Sequence, residues 1–447
     1  MKNNDKIYYQ LVPEKIYLSL DTLDVLLGSD IKGYSRDYLK EVISIVAFHI
    51  KKDENSSQLQ MVYIKKMVPQ GDKYLLGLIR LGLIKRTGAA IVGQTSYNYS
   101  FAPDYASKYI PLKMNNAKLI RRIELVHSKM EKAAALSIRG RSAQVKFLKH
   151  LSIEPEYINF LNRSYTIGTD QYNSAMASAI RIINNDIFYC IDNTSGRFHS
   201  NITNMSKGLR PFLRIDGQQL VNLDIKNSQP YMSTILLTNP NKVHSMTKIP
   251  AFALLLQTLE VTQTQDVKKY ISLVNSGQLY EYLMGEFSKE GLVLTRAETK
   301  TQVLRLLFSR NRMPKDKINR LCRQIFRVRF PKVDQVFSKL RGSSKGDKFS
   351  NFKRFAILLQ SIESHLIIDI ILKRIYKELP GTIAVSIHDS IMTGLLTNNV
   401  LSVRKIMIEE LSSYIGFMPN IKIEYNREEK DEEYKRIESS IDREYSN

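Results

Sequence analysis

Leu220-Val-Asn-Leu-Asp224-Ile-Lys-Asn-Ser-Gln229-Pro230 is an apolar run that stops at a carboxylate and passes into small polar residues. A second stretch of the same design, Ile383-Ala-Val-Ser-Ile-His388-Asp389-Ser390-Ile391, lies far downstream. Short runs rich in Val, Ile and Leu read as strands, so each acid is expected at a sheet edge or in a turn. Two such acids on neighbouring strands can hold divalent cations between them, the minimum equipment for two-metal phosphoryl transfer. Asp224 and Asp389 are therefore the expected metal ligands and catalytic carboxylates. Oxygen-only ligands suit two magnesium ions, with manganese as an alternative, because magnesium takes few protein ligands and keeps several waters.

Nucleotidyl transfer also needs cations for a triphosphate and a surface for the new base pair. Between the acids lies Thr295-Arg296-Ala-Glu-Thr-Lys300-Thr-Gln-Val-Leu304-Arg-Leu-Leu-Phe308-Ser309. On a helix, Arg296, Lys300, Leu304 and Phe308 fall at steps of four, close to one face. An Arg and a Lys four apart are by themselves an ordinary solvated face. Set between two candidate metal ligands, they are expected to hold phosphates, with Lys300 placed to protonate the leaving pyrophosphate. Leu304 and Phe308 are expected to meet the nucleotide further along.

With Thr194-Ser195-Gly196-Arg197-Phe198-His199-Ser200 added upstream, these motifs resemble, in order, those of the family A DNA polymerases and the single-subunit phage-type RNA polymerases. The Thr194–Ser200 element is similar to the one that contacts primer–template. The segment at Asp224 is similar to the first metal-binding motif, Arg296–Ser309 to the fingers helix, and His388-Asp389 to the second metal-binding motif. Gln360-Ser-Ile-Glu-Ser364-His365-Leu366 resembles the palm helix that precedes it. The resemblance spans roughly residues 150–430. It implies an α+β right-hand fold of palm, fingers and thumb, and template-directed synthesis on a DNA primer–template from nucleoside triphosphates. It further implies nucleic-acid contacts for Gly196, Arg197, Gln360, His365 and His388. Gln229 stands where the DNA enzymes carry a bulky Glu sugar gate; Gln is also bulky, which favours dNTPs.

The departures bear on the sugar. Ser390 follows the His-Asp pair, as in the RNA enzymes, where the DNA enzymes have Glu. Leu304 stands at a position that is Phe in many DNA enzymes. Phe308 replaces a Tyr whose hydroxyl helps sort ribose from deoxyribose in the RNA enzymes. A DNA polymerase is the first reading and an RNA polymerase or primase the second. A DNA-binding replication initiator with a non-catalytic palm is the alternative outside the enzymes.

The 447 residues carry a formal charge of +22, and it is segmented. Residues 113–150 hold ten Lys or Arg against Glu124 and Glu131, and Lys300–Lys345 holds fourteen against Asp316 and Asp334. Such blocks point to a polyanionic partner rather than a membrane. Only Cys190 and Cys322 occur, without zinc spacing, and the polar start Met1-Lys-Asn-Asn is no signal peptide; a reducing compartment, the cytoplasm, is expected. Phe355–Ile375 is oily but interrupted by Gln360, Glu363, His365, Asp369, Lys373 and Arg374, so it reads as a core helix. Phosphate-loop, His-Glu-x-x-His and Gly-x-Ser-x-Gly motifs are missing.

Upstream, helical periodicity at Tyr38–His49 and Asp72–Leu83 precedes strand signals at Ile84–Gly88 and Thr95–Phe101. This predicts a winged-helix-like module with Lys73, Arg80, Lys85 and Arg86 near phosphates. The expected plan is a winged-helix-like domain over 1–110 and a basic, thumb-like helical region over 111–190. Palm and fingers follow over 191–430, then a charged tail over 431–447. Its small size and DNA-binding module suit the replication of a phage, plasmid or mobile element.

Overall fold

The computed structural model describes residues 7–50, 57–88, 96–137, 142–246, 264–309, 314–341, 353–425 and 436–437. Arg139, Arg141, Arg310 and Arg312 of the basic blocks, and the 431–447 tail apart from Arg436 and Ile437, lie outside them. The chain mixes helix and sheet and divides into two compact units, one of residues 1–190 and 200–219, the other of 191–199 and 220–447.

In the first unit, Tyr8–Pro13 pairs antiparallel with Tyr109–Met114, so residues on both sides of the expected boundary at 110 share one unit. The helix Arg36–His49 lays Leu39, Val42, Ile43 and Val46 against this ribbon, the spacing of an amphipathic helix. Glu41 is drawn in with them. It accepts hydrogen bonds from Gln10 Nε2 (3.0 Å) and Tyr8 Oη (3.3 Å), and burial pushes its carboxyl up to about 7 against their pull. Next come the strand Ser57–Gln58, the helices Met61–Met67 and Gly71–Arg80, and the strands Ile84–Thr87 and Asn98–Phe101. The last strand lies between the other two. Of the cations expected there, Lys85 and Arg86 are exposed, with Arg86 over the Tyr97 ring. Lys73 donates to Gln70 and Arg80 pairs with Asp30.

The basic helix Ala117–Ser137 and the helix Asp170–Ile183 follow, the latter capped by Thr169 Oγ1, which accepts from Tyr172 N at 3.3 Å. Leu151–Ile153 pairs with Leu213–Ile215, which turns back onto Gln218 and Gln219. That turn is Asp216-Gly217, with φ of +50° and +74°. Both central residues at positive φ make a primed hairpin, and Asp-Gly is a sequence that tolerates it.

In the second unit, residues 220–225 sit between two antiparallel neighbours, Ser390–Gly394 on one side and Ile421–Glu424 on the other; Ala384–Ile387 completes the order beyond Ser390–Gly394. The run Arg354–Glu378 has the length and apolarity of a membrane span, yet 67% of its most apolar window is buried, as the core-helix reading expects. Its backbone widens to π-helical winding over His365–Leu372, a local feature that often accompanies functional sites.

Part of the second basic block is internal. Arg323 and Arg341 are each 1% exposed. Arg341 donates to Asp334 Oδ1 at 2.9 Å and to the Leu306 carbonyl at the end of the Arg296–Phe308 helix, while Arg327 takes Asp334 Oδ2 at 3.0 Å. A guanidinium at a helix C-terminus satisfies carbonyls that the helix leaves open. Arg341 thus braces a helix, and the charge count of the sequence had placed it, like the buried Arg323, with the surface.

Candidate active site

Register brings the two acids together. Asp224 is the Cα partner of Ser390, and Asp389 is the residue before Ser390. Neighbouring strands run about 4.8 Å apart, so the two residues stand beside each other at one end of the sheet. Asp389 belongs to a two-residue loop, His388-Asp389, closed by the Ile387–Ser390 pair. His388 takes φ +55° there, where hairpins ordinarily place Gly or Asn. A left-handed non-glycine residue costs roughly 1–2 kcal/mol, and such strain tends to persist where the surroundings hold it. His388 is held by His199, whose ring meets it edge-on at 5.6 Å and 67°.

The strand leaves Ile225 through Lys226 and Asn227, the latter at φ +54°, and enters the helix Ser228–Thr238. Ser228 at the start of that helix donates its hydroxyl to Asp389 Oδ2. Asp389 thus sits by a helix N-terminus, where the backbone dipoles favour negative charge. On the other side of residues 220–225, Lys422 is the cross-strand partner of Asp224.

Gln229 is 9% exposed and turns inward, donating Nε2 to Glu363 Oε2. The other oxygen of Glu363 receives Arg197, through Nε at 2.9 Å and Nη2 at 2.6 Å. Glu363 is fully buried; burial drives its carboxyl up to about 8 against the pull of Arg197, and the charge of Asp389 pushes the same way. Arg197 follows Gly196, whose φ of +75° ends a tight turn. Asp192 organises that turn by accepting from the backbone and hydroxyl groups of Thr194 and Ser195. Burial tends to raise its carboxyl, but those hydrogen bonds outweigh it and hold it well below the ordinary range. Ser364 Oγ fastens the turn to the Lys353–Ser364 helix by donating to the Ser195 carbonyl at 2.6 Å.

The helix Arg296–Phe308 begins with a capping box. Thr295 Oγ1 accepts from Glu298 N at 3.3 Å, and Glu298 Oε2 accepts from Thr295 N at 2.8 Å. Thr295→Ala should cost about 1 kcal/mol of stability, read as a fall in melting temperature. Arg296 pairs with Glu281 at 2.6 Å and lies over the Tyr280 ring, 5.3 Å from its centroid. Tyr280 is buried, and burial pushes its hydroxyl up to about 12, with the charges of Glu281 and Asp389 adding and Arg296 opposing. Lys300 is exposed and in no ion pair among the described residues, while Leu304 and Phe308 are half-buried. Gln360 is half-buried one turn before Glu363. His365 bonds to Asp369 at 3.2 Å.

Four contributors, Glu363, Ser228, His199 and Tyr280, had no role in the sequence reading. Glu363 did leave a signal. It is a carboxylate set among Leu358, Leu359, Ile362, Leu366 and Ile367, all fully buried, and a charge at a core position calls for a partner. This end of the sheet also suits divalent cations. Its donors are carboxylate and hydroxyl oxygens, and the charge of Asp389 is felt by both Glu363 and Tyr280. Among the described residues no group of three or more His, Cys, Asp or Glu is gathered in one place; two carboxylates with phosphate and water ligands are the usual protein share for magnesium.

No protein-family model matches the chain, and no curated protein matches it. Among solved structures, it is similar in part to the POL domain of Pol1 from M. smegmatis in a complex with DNA primer-template and dNTP, at 10% identity and a TM-score of 0.29. The match covers 68% of this chain and 65% of that one, so the chain spans less than two thirds of that domain's length.

Proposed function

We propose that the chain is a template-directed nucleotidyl transferase, a DNA polymerase in the first instance, with residues 220–225 and 384–394 as its palm. The observation that carries this reading is the meeting of Asp224 and Asp389 at one end of the sheet, through the pairing of Asp224 with Ser390. Asp224 and Asp389 would hold two magnesium ions, which offset the charge that builds up on the phosphates as pyrophosphate departs. Ser228 and the helix it starts fix the orientation of Asp389. Arg296 and Lys300 supply positive charge for the triphosphate, Lys300 being the freer of the two, with Leu304 and Phe308 further along the same face. Gln229, pinned by Glu363, is the candidate sugar gate. Arg197 acts through Glu363, holding the Gly196 turn in place beside the primer terminus.

In the first unit, the succession of helix, strand, two helices and two strands, with the last strand central, supports a winged-helix reading, and we take it as a DNA-holding module. The exposed lysines and arginines of the Ala117–Ser137 helix extend that basic surface.

Extension of a labelled primer on a defined template, with dNTPs or rNTPs and magnesium, tests the reading. Incorporation of dNTPs well above rNTPs is expected. Efficient use of rNTPs would transfer the assignment to an RNA polymerase or primase, the reading that Ser390 favours. Tight DNA binding without incorporation under magnesium or manganese would leave a replication initiator.

A further inference from the structure

The first unit contains a cavity of about 650 Å³ that the chemistry at the acids does not use. It lies between the end of the Arg36–His49 helix and the helices Ala117–Ser137 and Asp170–Ile183, with residues 186–190 along one side. We propose that it receives one unpaired base of a nucleic-acid strand whose backbone runs over the cationic face of the Ala117–Ser137 helix. This rests on the reading of the chain as a nucleic-acid enzyme.

Size and shape suit a base. Pockets of roughly 300–1,000 Å³ bury small organic ligands, and unstacked bases are held between aromatic rings. Phe48, His49, Tyr63 and Phe188 supply rings, with His49 and Tyr63 edge-to-face at 5.5 Å. Phe188 and Met130 line the cavity and yet are 41% and 53% exposed, which places apolar surface at its mouth.

The polar groups inside match a base edge rather than a phosphate. Burial pushes His49 down to about 4, so its ring is neutral, and Nδ1 lies 2.7 Å from the Ile45 carbonyl. Nδ1 therefore carries the proton, and Nε2 is an acceptor with no donor set against it among the described residues. The Tyr63 hydroxyl, in no hydrogen bond among the described residues, is a donor. Arg181 is the one guanidinium among the described lining residues, and it is spent on Asp186 at 2.5 Å and the Phe48 carbonyl at 3.0 Å. Asp170 and Glu131 also line the cavity, which opposes an anion. Outside, Lys129 and Lys132 flank the lining residues Met130 and Glu131 and are exposed, as are Lys118 and Arg121 on the same helix. Charge thus separates along one helix, with a neutral pocket within and cations for phosphates without.

The test uses the full chain and a series of single-stranded DNA oligonucleotides, each with one abasic position, read by fluorescence anisotropy. One abasic position should weaken binding about tenfold, the worth of a stacked base. Ala177→Leu, which fills the cavity, and Phe188→Ala, which opens its wall, should each bind the intact strand as weakly as the wild type binds that abasic one. Neither should show a further abasic penalty. Thermal unfolding confirms that each variant folds, and Phe188, at the surface, serves if Ala177→Leu does not. Tight wild-type binding at which no abasic position matters overturns the proposal and leaves the polymerase reading intact. A penalty that persists in both variants also overturns it, because the base is then held elsewhere. A wild type that binds no strand overturns the proposal, and primer extension on a primed template decides the polymerase reading separately.

Discussion

Asp224→Asn and Asp389→Asn should each reduce nucleotide incorporation by on the order of a thousandfold or more, the consequence of losing about 4 kcal/mol of transition-state stabilisation. Primer extension under single-turnover conditions measures it. DNA affinity should change by less than about twofold, because affinity for a polyanion resides in lysines and arginines that neutralise phosphates. The fold should survive. Both acids are only partly buried, and Asn at 389 still accepts from Ser228. A variant that retains wild-type incorporation would end the assignment of that acid. One that loses affinity in step with activity would end the division between binding and chemistry.

Glu363→Leu should destabilise the second unit by about 1–3 kcal/mol, since it leaves the buried donors of Arg197 and Gln229 without their acceptor. Arg197, with a side chain 19% exposed, has little solvent to turn to. Chemical denaturation reads the loss, and a variant as stable as the wild type would show that the pair contributes nothing. Glu363→Gln keeps the volume and should cost less. It also isolates a pH effect. The Glu363 carboxyl is raised by burial to about 8, so the folded state holds a proton that the unfolded chain releases above its ordinary carboxylate range, near 4.5. The contribution of this group is complete below that range and is lost as pH climbs through about 8. In metal-free buffer the wild type should weaken across this interval, and Glu363→Gln should lack that component. A wild-type profile identical to that of Glu363→Gln would show that the carboxyl is not held protonated.

Much of the sheet that carries the two acids was legible because residue pattern and chemistry agreed. The short apolar run Leu220–Leu223 is buried as a strand, and the carboxylate at its end marked where the strand meets polar surroundings. The four-residue spacing of Arg296, Lys300, Leu304 and Phe308 was read on a helix, and the structure has a helix over Arg296–Phe308. What stayed hidden were partnerships across long sequence separations. Arg197 reads locally as a cation after a glycine turn, and only the fold shows that its guanidinium faces a buried acid 166 positions away. Arg323 and Arg341 were counted with surface charge for the same reason, since composition does not distinguish a guanidinium that braces a helix from one that meets solvent. The left-handed backbone of His388 was equally out of reach, because a histidine carries no turn signature as strong as glycine's.

The path of the chain between the two units has a consequence for biosynthesis. Leu151–Ile153 finds its partner only in Leu213–Ile215, which emerges after residues 191–199 have already gone to the other unit. During translation the nascent first unit therefore waits with an unpaired edge, the exposure that invites wrong pairing, until about residue 219 has left the ribosome. A fragment ending at 190 would carry that open edge permanently.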